Sequence, residues 1–233
     1  MICQPVGHEY VNSHRALREL AGRLCDRGFP VLRFDYYGCG DSSGEAEDAA
    51  ISQWLDDISV ALKEVRHRTG IDQVCIVGLR LGGTLALMSS MQHREIDSLL
   101  LWDPIINGKA YLNELQLLQK EMLRCRPKPR YRAKPQDYTE VVGFPFPHLL
   151  NEQLQALDLL AMDARPVHNI LMLQSYAAPL GNSLRRRLSH SQAGLEYKEI
   201  QASPTWQPTS DGSLQVPYAV LQTAISWISN KYS

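Results

Sequence analysis

The six residues Gly78-Leu-Arg-Leu-Gly-Gly83 constrain this chain more than any other stretch. They carry the glycine frame of a G-x-S-x-G turn, in which a strand passes through a sharp turn directly into a helix. The first glycine lets the chain leave the strand, and the later ones let the helix begin close against it. The central residue then projects from the carboxyl end of the sheet with a strained backbone, and here that residue is Arg80. The flanks fit the turn. Ile71-Asp-Gln-Val-Cys-Ile-Val77 has the apolar character of a strand, and Thr84-Leu-Ala-Leu-Met-Ser-Ser90 that of a helix.

The rest of the chain alternates in the same way. Met1 to Pro5 reads as a strand remnant, Ser13 to Asp26 as a helix with Leu17, Leu20, Ala21 and Leu24 on one face, and Phe29 to Asp35 as a strand. Ala49 to Thr69 is a longer helix striped by Trp54, Leu55, Ile58, Ala61, Leu62 and Val65. Further strands are predicted at Ile96–Trp102, Val167–Gln174 and Leu195–Gln201, with helices at about 182–191 and 216–230. Strands alternating with helices imply a mostly parallel sheet covered on both faces.

Between Asn107 and Arg165 the alternation stops. Tyr111, Leu112, Leu115 and Leu118 mark one helix and 149–160 a second, separated by the basic, proline-rich run Arg124 to Pro135. An insertion at the carboxyl end of a strand is where such folds place a cap over the site. The chain is therefore read as one domain, 1–233, with a cap insertion at 107–165. The basic run is read as a solvated loop rather than a nucleic-acid contact.

Composition narrows the function classes. With 24 Lys and Arg against 25 Asp and Glu, the net charge of −1 gives no global field toward nucleic acid or anionic membrane. Five scattered cysteines without a C-x-x-C pair suggest reduced thiols in a cytoplasm, not a disulfide frame or a metal site. No apolar run reaches membrane-spanning length, the N-terminus lacks the features of a signal peptide, and nothing calls for a cofactor.

Several segments together resemble the α/β-hydrolase superfamily. They are Pro5-Val-Gly-His-Glu-Tyr10 with Ser13-His-Arg-Ala16, Gly28 to Gly44, the Gly78–Gly83 turn, Leu101-Trp-Asp-Pro104 and Val142-Gly-Phe144. Within the superfamily the chain is similar to the serine-aminopeptidase-like group, including the exosortase A system-associated hydrolases of exopolysaccharide gene neighbourhoods. The resemblance implies a Ser-His-Asp triad, and three of its positions are altered. The nucleophile position is Arg80, which cannot lose its proton and attack an acyl carbon. The acid position falls in Ser175-Tyr-Ala-Ala-Pro179 and the histidine position in Ala202-Ser-Pro-Thr-Trp206, and neither holds the required residue. Asp103, after the preceding strand, is a candidate acid, or a strand-end aspartate capping a turn. It is also the candidate partner for Arg80.

Gly7 and His8 lie where the resemblance puts the oxyanion hole, and Leu81 follows the elbow residue. With Arg80 they make the candidate ligand-contacting set. His8 is read equally as a loop histidine without a role. Gly38, Gly40 and Gly44 serve turns, and Cys39 lacks a neighbouring histidine and sits off the elbow. Three functions follow: a non-hydrolytic homologue binding a small anionic acyl or sugar-linked ligand through Arg80, a hydrolase acting without an elbow serine, and a scaffold whose pocket is filled by side chains. The resemblance also implies two antiparallel strands ahead of Met1, which are read as missing here. Their absence would expose the edge of Phe29–Asp35 and favour a homodimer.

Overall fold

The computed structural model describes residues 1–124, 138–162, 167–176, 180–190, 194–209 and 212–232. The basic run from residue 125 to 135 lies outside them, as does the predicted helix end at 191. The central sheet is parallel throughout. It is built from β1 (Ile2–Cys3), β2 (Val74–Leu79), β3 (Ile96–Trp102), β6 (Asn169–Gln174) and β7 (Gly194–Glu199), in the order β1-β2-β3-β6-β7.

Side-chain alternation on these strands builds two cores. Ile76, Leu99, Leu101 and Met172 face one layer, while Val77, Leu100, Trp102 and Leu171 face the other. The first layer holds α2 (Ile51–Thr69), through Trp54, Ile58 and Leu62, and α3 (Leu81–Ser90), through Leu81 and Leu85. The second is packed by α1 (Gly7–Cys25), through Leu17, Leu20 and Leu24, and by α7 (Tyr218–Tyr232), through Val220, Leu221, Ile225 and Trp227. Strands buried on both faces need near-continuous apolar runs, as Leu99-Leu-Leu-Trp102 provides.

The insertion carries α4 (Gly108–Arg124), a hairpin of β4 (Tyr138–Val141) and β5 (Phe144–Pro147), and α5 (His148–Ala156). It packs on the first core through Tyr111, Leu112, Leu115, Leu150 and Leu154. Helix α6 (Gly181–Ser189) lies between β6 and β7 in the chain.

Four expectations change. Helix α1 begins at Gly7, not Ser13, because Gly7 at φ +60° turns the chain straight from β1 into the helix. Residues 29–35 form no strand; they contact the sheet through an isolated parallel bridge, Arg33 to Ile2, because β1 is only two residues long and offers no further register. The hairpin at 138–147 was not foreseen, its Val142-Gly143 turn having positive φ at both residues, as a tight hairpin turn requires. Helix α5 stops at Ala156, after which Leu157 turns to extended backbone and Leu159 N–H bonds Ile106 O.

The glycines of the central turn have a steric reason. A Cβ on Gly78 would stand 2.5 Å from Gly82 O, and one on Gly82 would stand 2.2 Å from Cys3 O. Backbone of β1, β2 and α3 therefore meets here without side chains between. Gly82→Ala should lower unfolding stability by about 1–3 kcal/mol or more, as overpacking against rigid backbone does. Gly22→Ala, at a helical site with open space around it, should stabilise by about 0.5–1 kcal/mol. Urea denaturation of the two variants checks the contrast, which equal effects would contradict.

Candidate functional site

Arg80 sits at the turn between β2 and α3 with φ 52° and ψ −123°, a conformation that costs a non-glycine residue energy. The backbone around it holds the turn. Arg80 N–H donates to Trp102 O at 3.0 Å, and Arg80 O accepts from Gly83 N–H at 3.0 Å. Thr84 Oγ1 donates to Ile105 O at 2.6 Å, tying α3 to the chain that leaves β3.

The residue is buried at 7% exposure, and its side chain is partnered on two sides. Its Nε donates to Glu9 Oε1 at 2.8 Å, and its Nη2 donates to both Glu114 oxygens at 2.8 Å. Tyr111 OH donates to the other Glu9 oxygen at 3.0 Å. The guanidinium carbon lies 4.8 Å from the Trp206 ring centre and 5.5 Å from that of Tyr111, within cation–π range. Trp206 is itself packed edge-on by Tyr176. Three other parts of the fold thus converge on the elbow's cation: the first turn of α1, helix α4 and the loop after β7.

Burial alone would weaken the guanidinium's hold on its proton, but Glu9 and then Glu114 outweigh this and raise its pKa further above its ordinary value. Burial pushes the Glu9 carboxyl up, against the pull of Arg80 and of the Tyr111 hydroxyl. The two acids differ in setting, since the Glu9 side chain is 1% exposed and that of Glu114 is 41% exposed. Glu114 stands at the rim of a cavity of about 290 Å³ that Arg80, Ile105, Ile106, Tyr176 and Leu180 also line.

Asp103 is not the partner of Arg80. Its carboxylate accepts from the Ser175 hydroxyl, from Ser175 N–H at 3.0 Å and from Tyr176 N–H at 3.3 Å. It joins the ends of β3 and β6, with its own backbone at φ 43°. Burial raises its pKa despite those bonds. The physical reason for the difference is directional: Asp103 is used up by backbone donors beside it, while Glu9 comes from α1, which packs over the elbow.

His8 stands beside Glu9 in the first turn of α1 at 9% exposure, near enough for the Arg80 charge to act on it. Gly7 precedes it at φ +60°, where a Cβ would meet the Phe144 ring only in ordinary contact at 3.6 Å, and Leu81 is fully buried as the first residue of α3. Cys39 is off the site, and burial, then Asp35 and Asp57, push its thiol up to about 12, which leaves it unreactive. Among the described residues no group of three or more His, Cys, Asp or Glu side chains is placed to hold a metal ion, and no helix is long and apolar enough to cross a membrane.

The sequence reading missed Glu9, Tyr111, Glu114 and Trp206 as parts of the site. A signal was present. Tyr111 and Glu114 are spaced i, i+3 on one helix face, and a buried arginine requires carboxylates within reach.

His8 gives the site a pH signature. Burial, and secondarily the charge of Arg80, lowers its pKa to about 4 from the ordinary 6.5. A histidine depressed in the folded state contributes stability that is whole above pH 6.5 and is lost as pH falls toward 4. At full loss this amounts to about 3 kcal/mol. His8→Gln should therefore flatten the decline of unfolding free energy between pH 6.5 and 4, as followed by urea melts, and an unchanged slope would contradict the assignment.

Comparison with known proteins agrees with this architecture. Among curated relatives, a proline iminopeptidase of Lactobacillus delbrueckii subsp. lactis is 32% identical over 119 residues, 48% of this chain and 37% of the relative. The human protein ABHD12B is 32% identical over 99 residues, 41% of this chain and 26% of that protein. The chain thus spans well under half the length of these relatives. Among solved structures, Est1E of Butyrivibrio proteoclasticus with ferulic acid bound has a TM-score of 0.67 at 18% identity, covering 98% of this chain and 87% of that one. Mouse alpha/beta hydrolase domain-containing protein 10 has a TM-score of 0.59, also at 18% identity, with 98% and 88% covered. These likenesses show the α/β-hydrolase fold. Residues 6–153 match the family described as serine aminopeptidase, S33, so the chain is a member of that family.

Proposed function

We propose that this chain is a non-hydrolytic member of the family, in which Arg80 occupies the nucleophile position and is neutralised from within. The observation that carries the reading is the set of contacts on Arg80: Glu9 on one side, Glu114 on the other and the Trp206 ring beside the guanidinium. A guanidinium keeps its proton and offers no lone pair to an acyl carbon. Trp206 belongs to the loop where the resemblance implies the general base, and Ser175 to the segment where it implies the acid. His8, with its pKa near 4, is a weak base at neutral pH. The arrangement supports a scaffold-like pseudoenzyme whose former centre now fastens the cap to the sheet.

A second reading keeps a ligand. Glu114 is the solvent-facing carboxylate of the pair and borders the cavity of about 290 Å³. A small acyl or sugar-linked anion could take its place on Nη2 while Glu9 continues to balance the charge, its apolar body lying against Ile105, Ile106 and Leu180. Such a ligand accords with the similarity to exosortase A system-associated hydrolases. The free thiols of Cys3, Cys25, Cys39 and Cys75 accord with a reducing cytoplasm. With two carboxylates already beside one guanidinium, the local charge opposes an incoming anion, so the internally closed site is the stronger reading.

Turnover of p-nitrophenyl acetate and butyrate should match an albumin control, and a fluorophosphonate should label nothing at the site. Arg80→Ser should not restore turnover, because a serine without a base is a weak nucleophile. Turnover above the control that survives purification would support hydrolysis without an elbow serine and overturn the proposal. If the anion reading holds, Glu114→Gln should bind a small carboxylate such as butyrate measurably more tightly in calorimetry; no binding in either form would favour the closed site.

A further inference from the structure

We propose that Ser59 is an acyl-accepting nucleophile, with His93 as its general base and Glu95 positioning that base, in a relay built apart from the Arg80 site.

Ser59 stands on α2, half-buried beside the core residue Ile58. Its Oγ lies 2.7 Å from His93 Nε2, and His93 Nδ1 lies 3.1 Å from Glu95 Oε1. Nucleophile, base and carboxylate joined in that sequence of contacts are the recurring geometry of an activated serine, recognised by distances and roles rather than by order along the chain. His93 and Glu95 belong to the connection between α3 and β3, and its backbone is anchored. His93 N–H donates to Ser89 O at 3.1 Å, His93 O accepts from Ile96 N–H at 3.3 Å, and Glu95 O accepts from Val74 N–H at 2.7 Å. Val74 and Ile96 open β2 and β3, so the relay stands at the amino end of the sheet, opposite the elbow.

The tautomer follows from the partners. A carboxylate only accepts, so Glu95 selects the ring with its proton on Nδ1, and in the neutral ring this leaves the Nε2 lone pair facing the Ser59 hydroxyl. Leu55 O, at 3.0 Å, competes for the same hydroxyl proton. That carbonyl already takes a helical N–H, and its contact is the longer of the two. A bond that only tied α2 to the connection would be met by either tautomer; Glu95 removes the choice. The His93 side chain is 20% exposed and that of Glu95 41%, so the relay is open to a donor from solvent.

The substrate class is an activated ester. Ser59 Oγ attacks the acyl carbon while Nε2 takes the hydroxyl proton; the bond from that carbon to the leaving oxygen breaks, and the proton passes from Nε2 to the leaving oxygen. The products are an ester on Ser59 and a free alcohol, and His93 returns to its starting state. The N–H groups of α2 around Ser59 are committed to the helix and make no oxyanion hole, so the acyl group stays on Ser59 instead of turning over.

A fluorophosphonate, which loses fluoride to a serine oxygen through the same proton transfer, is the probe. Peptide mapping by mass spectrometry should place the label on Ser59 in preference to Ser52, which is exposed on the same helix but bonded by Gln153. That result, without continuing turnover, is independent of the reading of Arg80. His93→Gln should slow the labelling by about 100-fold, the scale of a lost general base. In the unmodified protein, nitrogen NMR should find the His93 ring protonated on Nδ1, and Glu95→Gln should shift that proton toward Nε2, a readout that a merely structural Glu95 would not move. An unlabelled Ser59, labelling indifferent to His93→Gln, or a ring protonated on Nε2 in the unmodified protein would each overturn the proposal.

Discussion

The ion pair between Arg80 and Glu9 is the contact around which the carboxyl end of the sheet is arranged. The guanidinium is held there by the Gly78–Gly83 turn, at the N-terminus of α3, where the helix dipole disfavours a cation. Leaving such a charge buried and unpaired would cost several kcal/mol. Glu9 answers it from the first turn of α1, a position where the dipole favours an anion. Tyr111 then takes the second Glu9 oxygen, and Glu114, one turn further along α4, takes the guanidinium edge. Helix α4 is thus joined to the elbow and to α1 through two of its polar side chains.

This arrangement bears on function because it inverts the chemistry expected at such a turn. A projecting side chain on a strained elbow is normally exposed to its substrate; here the side chain is enclosed by two acids and two aromatic rings. The local charge is negative once Glu9 and Glu114 are counted against one guanidinium. That excess of negative charge opposes an anion arriving from solution. Glu114 is the exposed member, so it is the point at which the closed arrangement could open, whereas Glu9 is fixed by burial and by Tyr111.

Much of the fold was readable in the sequence because its signals are local. The apolar run Ile96–Trp102 and the stripe of Trp54, Ile58 and Leu62 each fix their element by period and burial, and the Gly78–Gly83 frame fixes the turn because no Cβ fits there. What was not readable depends on contacts distant in sequence. Glu9 and Arg80 are separated by 71 positions, and Arg80 and Glu114 by 34, so no spacing rule joins them. Asp103 was a reasonable partner by its place at the end of the strand that follows the elbow strand, but backbone N–H groups of Ser175 and Tyr176 occupy it first. The segment 29–35 has a strand's composition and yet makes a single bridge, because the strand it faces is short. Pairing, unlike propensity, requires a partner.

The most direct test of this account is a double-mutant cycle between Arg80 and Glu9, using Arg80→Met, Glu9→Leu and the combined variant, with unfolding free energies from urea denaturation. Each single change should destabilise by about 3–5 kcal/mol, since it strands the other charge or breaks the buried pair. The combined variant should be more stable than the sum of the two losses implies, with a coupling of about 2 kcal/mol or more. Losses that add to within about 0.5 kcal/mol would mean the two residues do not act on one another, and would contradict the account.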